Sequence, residues 1–164
     1  MTTDFPAHAE YLAFAETLAD QSRRMLLAVK GSAPKVDIKS HASFVTTADK
    51  AVEPALRAMI QETYPDHGIL GEEFNNINID ADFVGVLDPI DGTAAFVAGV
   101  PVYGTLIGLA WQGQPYVGVI DHPITSDRWT GVSGRMVEHN GTQVRVRACA
   151  SVETAYATCS IADL

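Results

Sequence analysis

Apolar residues recur at helical spacing near the start of the chain, where Tyr11, Phe14, Leu18, Met25, Leu26 and Val29 fall along one face. Asp4 and Glu10 lie early in this stretch and Arg23, Arg24 and Lys30 late, the order that a helix dipole favours. The spacing predicts a helix over 7–29, closed by Gly31. A polar loop over 32–43 follows, then an extended piece at Phe44-Val45. A second helix is expected from Thr46 or Thr47, with Val52, Leu56, Met59, Ile60 and Thr63 on one face. Pro54 falls inside it, where a proline costs about 3 kcal/mol. Either the helix kinks there, or its regular part begins at Pro54 with Glu53 as an imperfect cap.

Past Thr63 the period shortens. Tyr64 to Gly68 reads as a turn, and Ile69-Leu70 as a short strand that delivers Gly71-Glu72-Glu73. Phe83 to Leu87 is apolar apart from Gly85, as a buried strand would be, and Pro89 should stop it by removing an N–H donor. Asp91-Gly92 is a turn signal, and 93–98 can start a short helix. Val102 to Trp111 and Tyr116 to Ile120, joined through Gln112-Gly113-Gln114-Pro115, form a hairpin pattern. Further strands are expected near 127–132 and over 142–147, the latter entered through Asn140-Gly141. Two helices followed by a mostly antiparallel sheet make an α+β fold in one domain spanning 1–164.

Length supports that picture, since 164 residues can bury roughly 70% of the surface their unfolded form exposes. The formal charge of −9 arises without any basic run or basic-aromatic interleaving, so nucleic acid and anionic membrane are poor partners. No stretch approaches the roughly 18 consecutive apolar residues of a membrane span, and Met1-Thr2-Thr3-Asp4 lacks a basic, signal-like start. A cytoplasmic location is the expectation. Cys149 and Cys159 have no CxxC spacing and are expected to be small buried apolar residues.

The candidate chemistry lies in Val86-Leu87-Asp88-Pro89-Ile90-Asp91-Gly92-Thr93, where two carboxylates stand three residues apart as a strand breaks into a turn. A plain Asp-Pro and Asp-Gly turn accounts for this stretch taken alone. Two further acids at element ends, Asp49 and Glu72, change the balance. Carboxylates on several element ends suit a hydrated Mg²⁺, which prefers oxygen ligands. The N–H groups of Gly92, Thr93 and Ala94, at the start of the short helix, suit an anion once cations offset the acids. Asp49 and Thr93 could alternatively be simple helix caps.

Three blocks carry a resemblance: Val45-Thr46-Thr47-Ala48-Asp49-Lys50 with Val52-Glu53, Gly71-Glu72-Glu73, and Asp88-Pro89-Ile90-Asp91-Gly92-Thr93 with Phe96. In order and spacing they resemble the inositol monophosphatase family of Mg²⁺-dependent phosphatases. Pro101 to Ile107, Val119 to Pro123 and Arg147 to Ala150 look like its histidinol-phosphate phosphatase branch, although Ala94 stands where that branch usually carries arginine. The resemblance implies that Glu72, Asp88 and the Ile90 carbonyl hold a first metal, and Asp88 with Asp91 a second. It implies that Asp49, Glu72 and Thr93 are catalytic, with Thr93 hydrogen-bonded to Asp49 and orienting a water. It also implies a phosphate resting on Gly92, Thr93 and Ala94. The implied reaction is hydrolysis of a small phosphate monoester, L-histidinol phosphate first and inositol 1-phosphate or another sugar phosphate as the alternative.

The family normally continues into a second α/β domain with a Trp-Asp motif, and neither Trp111 nor Trp129 is followed by Asp. The resemblance therefore implies an N-terminal domain alone, with apolar surface left for a partner and a homo-oligomer, a dimer, as the expected state. A non-catalytic domain that binds metal or phosphate and acts by assembly is the reading from another class.

Overall fold

A computed structural model of the chain describes residues 8–31, 35–38 and 44–156. Asp4, Cys159 and the 32–34 and 39–43 parts of the polar loop lie outside the described residues. Helix α1 spans His8–Ala28, and Gly31 after it takes a positive φ of 81°, as a helix-ending glycine does. Strands β1 (Val36–Ile38) and β2 (Phe44–Thr46) form a small antiparallel pair, so a strand lies where only loop was expected. Helix α2 spans Asp49–Thr63 and runs through Pro54, which settles the alternative left by the sequence. Glu53 is inside that helix and fully buried, so it is no cap.

The main sheet has seven strands in sequential order: β3 (Gly68–Gly71), β4 (Phe83–Asp91), β5 (Gly104–Trp111), β6 (Gln114–His122), β7 (Asp127–Val132), β8 (Met136–His139) and β9 (Thr142–Gln143). Only β3 and β4 pair in parallel, so the sheet is mostly antiparallel and the fold is α+β as expected. The edge differs from expectation. The alternating stretch 142–147 forms a strand only as far as Gln143, with one further backbone bond from the Val144 N–H to the Val137 carbonyl, and Val146 is 97% exposed. Its neighbour Met136–His139 is the strand instead, pairing with β7. Cys149 is exposed, not buried, and its thiol contacts the Ser151 carbonyl.

Both long helices cover one face of this sheet, α1 over β5 to β7 and α2 over β4. Ala15, Leu18, Ala19, Ser22 and Leu26 line the buried stripe of α1; Val52, Leu56 and Ile60 line that of α2. They meet Leu87, Ile107, Tyr116 and Val119 in one apolar cluster, with Tyr116 the extra residue at the register shift where β6 faces Leu109 and Ala110. Each fully buried Leu or Ile contributes roughly 1.5–3 kcal/mol. The opposite face is different: Val86, Ile120 and Val137 are exposed there around a shallow hollow that Asp88 also lines.

Candidate active site

Register brings the acids together. Gly71 pairs with Leu87 in the parallel ladder, so the next residues, Glu72 and Asp88, emerge side by side. Glu72 so close to Asp88 adds to the burial that favours a proton on the Asp88 carboxyl. Strand β4 does not end at Leu87. Its ladder with β5 reaches Asp88↔Leu106, skips, and resumes at Asp91↔Gly104, so Pro89 and Ile90 oppose Thr105 alone. This is a bulge, the device that re-aims side chains beside functional sites. Pro89 has no N–H to offer the ladder, and its carbonyl accepts the Thr105 hydroxyl at 2.9 Å. The Ile90 N–H turns to Asp88 Oδ1 at 3.1 Å. Gly92, at φ 82°, then leads into helix α3 (Thr93–Ala98).

Asp49 comes from the other direction, at the start of α2. The Thr46 hydroxyl accepts from the N–H groups of Ala48 and Asp49, at 3.1 and 3.4 Å. The Asp49 Oδ2 accepts in return from the Thr46 N–H and hydroxyl, at 2.7 and 2.6 Å. The two side chains form a reciprocal capping box. Capping accounts for one oxygen only. Asp49 is fully buried and its Oδ1 has no hydrogen-bond partner. An unsatisfied buried carboxylate oxygen costs free energy unless a ligand supplies the partner.

The expected Thr93–Asp49 hydrogen bond is absent. Thr93 Oγ1 donates to the Ile90 carbonyl at 2.9 Å, which closes the tight turn through Gly92, while Thr46 engages Asp49. The Ile90 carbonyl keeps a second lone pair. Glu72 and Asp91 are exposed, Asp88 and Thr93 half-buried. Ala94 is exposed beside Thr93 on α3.

Burial raises the Asp49 carboxyl above its ordinary range, with Glu72 adding to the rise and the Thr46 hydrogen bonds opposing it. Asp88 is pushed up to about 8, first by burial, then by the hydrogen bond and charge of Glu72 and the charge of Asp91. Such an arrangement asks for a cation in place of the proton. The donors are all hard oxygens, which fits Mg²⁺ or a similar dication. Glu72 and Asp88 meet as a pair; among the described residues no three His, Cys, Asp or Glu side chains close into a ready-made cage.

Sequence reasoning missed Glu53 and Arg57. Glu53 Oε1 accepts from Arg57 Nε at 2.7 Å inside the protein, and Oε2 accepts the Glu73 N–H at 2.8 Å. The available signal was the spacing Asp49, Glu53, Arg57, which repeats every four residues along one face of α2. Two histidines are held away from the acids: His67 stacks between Tyr64 and Phe83, and His139 bonds Asp127.

Comparison with known proteins gives the same family as the blocks above. A sequence profile of the inositol monophosphatase family matches residues 7–162. The chain is 41% identical over 150 residues to a protein named bifunctional phosphatase IMPL2, chloroplastic, of Arabidopsis thaliana, covering 89% of this chain and 43% of that one. It is 38% identical over 125 residues to the histidinol-phosphatase of Mycobacterium tuberculosis, covering 76% and 48%. Among solved structures, an inositol monophosphatase of Thermotoga maritima superposes with a TM-score of 0.81 at 28% identity, over 88% of this chain and 56% of that one. The chain thus spans about half the length of the relatives it matches.

Proposed function

Because the chain belongs to the inositol monophosphatase family, we propose that it supplies the metal-binding half of a divalent-cation-dependent phosphatase acting on small phosphate monoesters. The observation that carries this reading is the register that sets Glu72 beside Asp88, with Asp91 adding its charge and the buried, unpartnered Oδ1 of Asp49 on the neighbouring helix. Glu72, Asp88 and the Ile90 carbonyl would hold a first Mg²⁺, and Asp88 with Asp91 a second. When bound, such ions supply the positive charge that offsets a phosphate dianion and the alkoxide that leaves it.

The chain's own residues do the rest. Asp49 Oδ1 is an acceptor for a proton of the attacking water, and its raised basicity suits that task. The Thr93 hydroxyl hydrogen is committed to Ile90, so its oxygen is free to accept a hydrogen bond from the same water and orient it. Glu72 would support the same water. The phosphate rests against the N–H groups of Gly92, Thr93 and Ala94. Our preferred substrate is L-histidinol phosphate, supported by the identity to histidinol-phosphatases, with inositol 1-phosphate as the alternative.

Phosphate release from both esters with Mg²⁺ tests the reading, with Asp91→Asn as the blank. Turnover that is lost in the variant supports it, and the preferred ester names the branch. An equal rate in the variant overturns the assignment of Asp91.

A second reading has its own support in the exposed apolar face around Val86, Ile120 and Val137, where a hollow of about 460 Å³ adjoins Asp88. Patches of this kind mark association surfaces. We propose that this face pairs with a second copy of the chain, giving a dimer, whether or not the site turns over. Light scattering or equilibrium sedimentation should return twice the 17.6 kDa chain mass. A clean monomer at high concentration would rule the pairing out.

A further inference from the structure

We propose that the buried Glu53–Arg57 ion pair positions Glu72, fixing the loop that carries it against Asp49 and Asp88. This inference rests on the metal-dependent reading above. Glu53 is fully buried and Arg57 nearly so. Between them they reach three consecutive residues after Glu72. Glu53 Oε2 accepts the Glu73 N–H at 2.8 Å, Arg57 Nη2 donates to the Phe74 carbonyl and Nη1 to the Asn75 carbonyl, each at 3.0 Å. On the other side of Glu72 the backbone is pressed onto the same pair. A Cβ at Gly71 would lie 2.0 Å from Glu53 Oε1 and 2.5 Å from Arg57 Nη2, so only glycine leaves room for this approach.

Glu72 is therefore held from both flanks by main-chain contacts while its own side chain stays exposed. Packing alone does not call for charge here. A buried ion pair gains little stability over well-packed apolar residues of similar volume. What apolar residues could not do is satisfy an N–H and two carbonyls of an irregular loop, which the Glu–Arg fork does. Asp49 stands one helical turn before Glu53, so the cap that presents its free oxygen and the clamp that presents Glu72 belong to one rigid helix. Outer partners of this kind orient ligands, and their loss typically lowers metal affinity 10–100-fold.

The test is Mn²⁺ binding followed by electron paramagnetic resonance of the free ion, with the chain as it stands and the variants Glu53→Gln, Glu72→Gln and the double variant. Glu53→Gln should weaken binding about tenfold. In the Glu72→Gln background the same change should add no further loss, because its effect passes through Glu72. An equal loss in both backgrounds, the mark of general damage to the fold, overturns the inference, and so does an unchanged affinity in Glu53→Gln. Should Glu53→Gln fail to fold, Arg57→Lys is carried through the same cycle; it keeps the charge beside Glu53 but loses the planar fork that spans two carbonyls. Absence of Mn²⁺ binding in the unaltered chain would instead remove the metal reading, and this inference with it.

Discussion

Asp88→Asn is expected to lower phosphate release by about a hundred- to a thousandfold and, without metal, to make the protein more stable at pH 8. Both effects have one origin. The Asp88 carboxyl, pushed up to about 8 by burial and by Glu72 and Asp91, keeps a proton that an unfolded aspartate releases near pH 3.9. The native state therefore binds more protons than the unfolded state between those values. Stability contributed by this group is complete below about pH 4 and is lost as pH rises through about 8. Asn cannot ionise, so the variant should lack that decline. A dication takes the place of the proton, so Mg²⁺ affinity in the unaltered chain should rise with pH, by up to about tenfold per unit between pH 6 and 8. Thermal unfolding at pH 5, 6.5 and 8, with and without Mg²⁺, checks all of this. Identical pH slopes for the two proteins would show that Asp88 is not the group under strain.

That strain depends on register, which explains what the sequence could and could not reveal. The acids themselves were legible because Asp-Pro-Ile-Asp-Gly-Thr and Gly-Glu-Glu are local motifs at element ends, and the apolar periods of both helices and of β4 to β7 were equally plain. The parallel pairing of Gly71 with Leu87, which sets Glu72 beside Asp88, joins segments separated by the 72–82 loop and leaves no local mark. Pro89 illustrates the converse. Its missing N–H argued for the end of a strand, yet a two-for-one bulge with Thr105 absorbs the gap and the ladder resumes at Asp91. Glu53 misled for a similar reason. A charged residue before a proline reads as a cap, and only docking of the 71–75 loop shows why it is buried. The Thr93–Asp49 bond was carried over from resemblance, and here Thr46 and Ile90 are the nearer partners.

Away from the site, the largest expected effect on stability is that of Asp121→Ala. Asp121 is fully buried on β6 and accepts from Arg23 of α1 through Nε at 2.9 Å and Nη2 at 2.7 Å. It accepts also from Arg128 Nε of β7 at 2.6 Å. One carboxylate thus ties the first helix to two strands. Its removal leaves two guanidinium groups facing each other beneath α1, the situation in which breaking a buried pair costs about 3–5 kcal/mol. Their side chains are 25% and 18% exposed, so partial solvation places the result toward the lower figure. For a chain of this length that corresponds to a fall of roughly 6–20 °C in Tm. Arg23→Ala should cost less, because Asp121 keeps Arg128. Asp20→Ala should cost least, at most about 1 kcal/mol, since Asp20 is 63% exposed and Arg128 keeps its bond to Asp121. Urea unfolding of the three variants measures this order directly, and an Asp121→Ala protein within about 1 kcal/mol of the parent would refute the tie. The same variant separates stability from chemistry. Asp49, Glu72, Asp88 and Asp91 lie on α2, the loop after β3 and β4, so ion affinity well below the unfolding temperature should be unchanged while the fold is weakened.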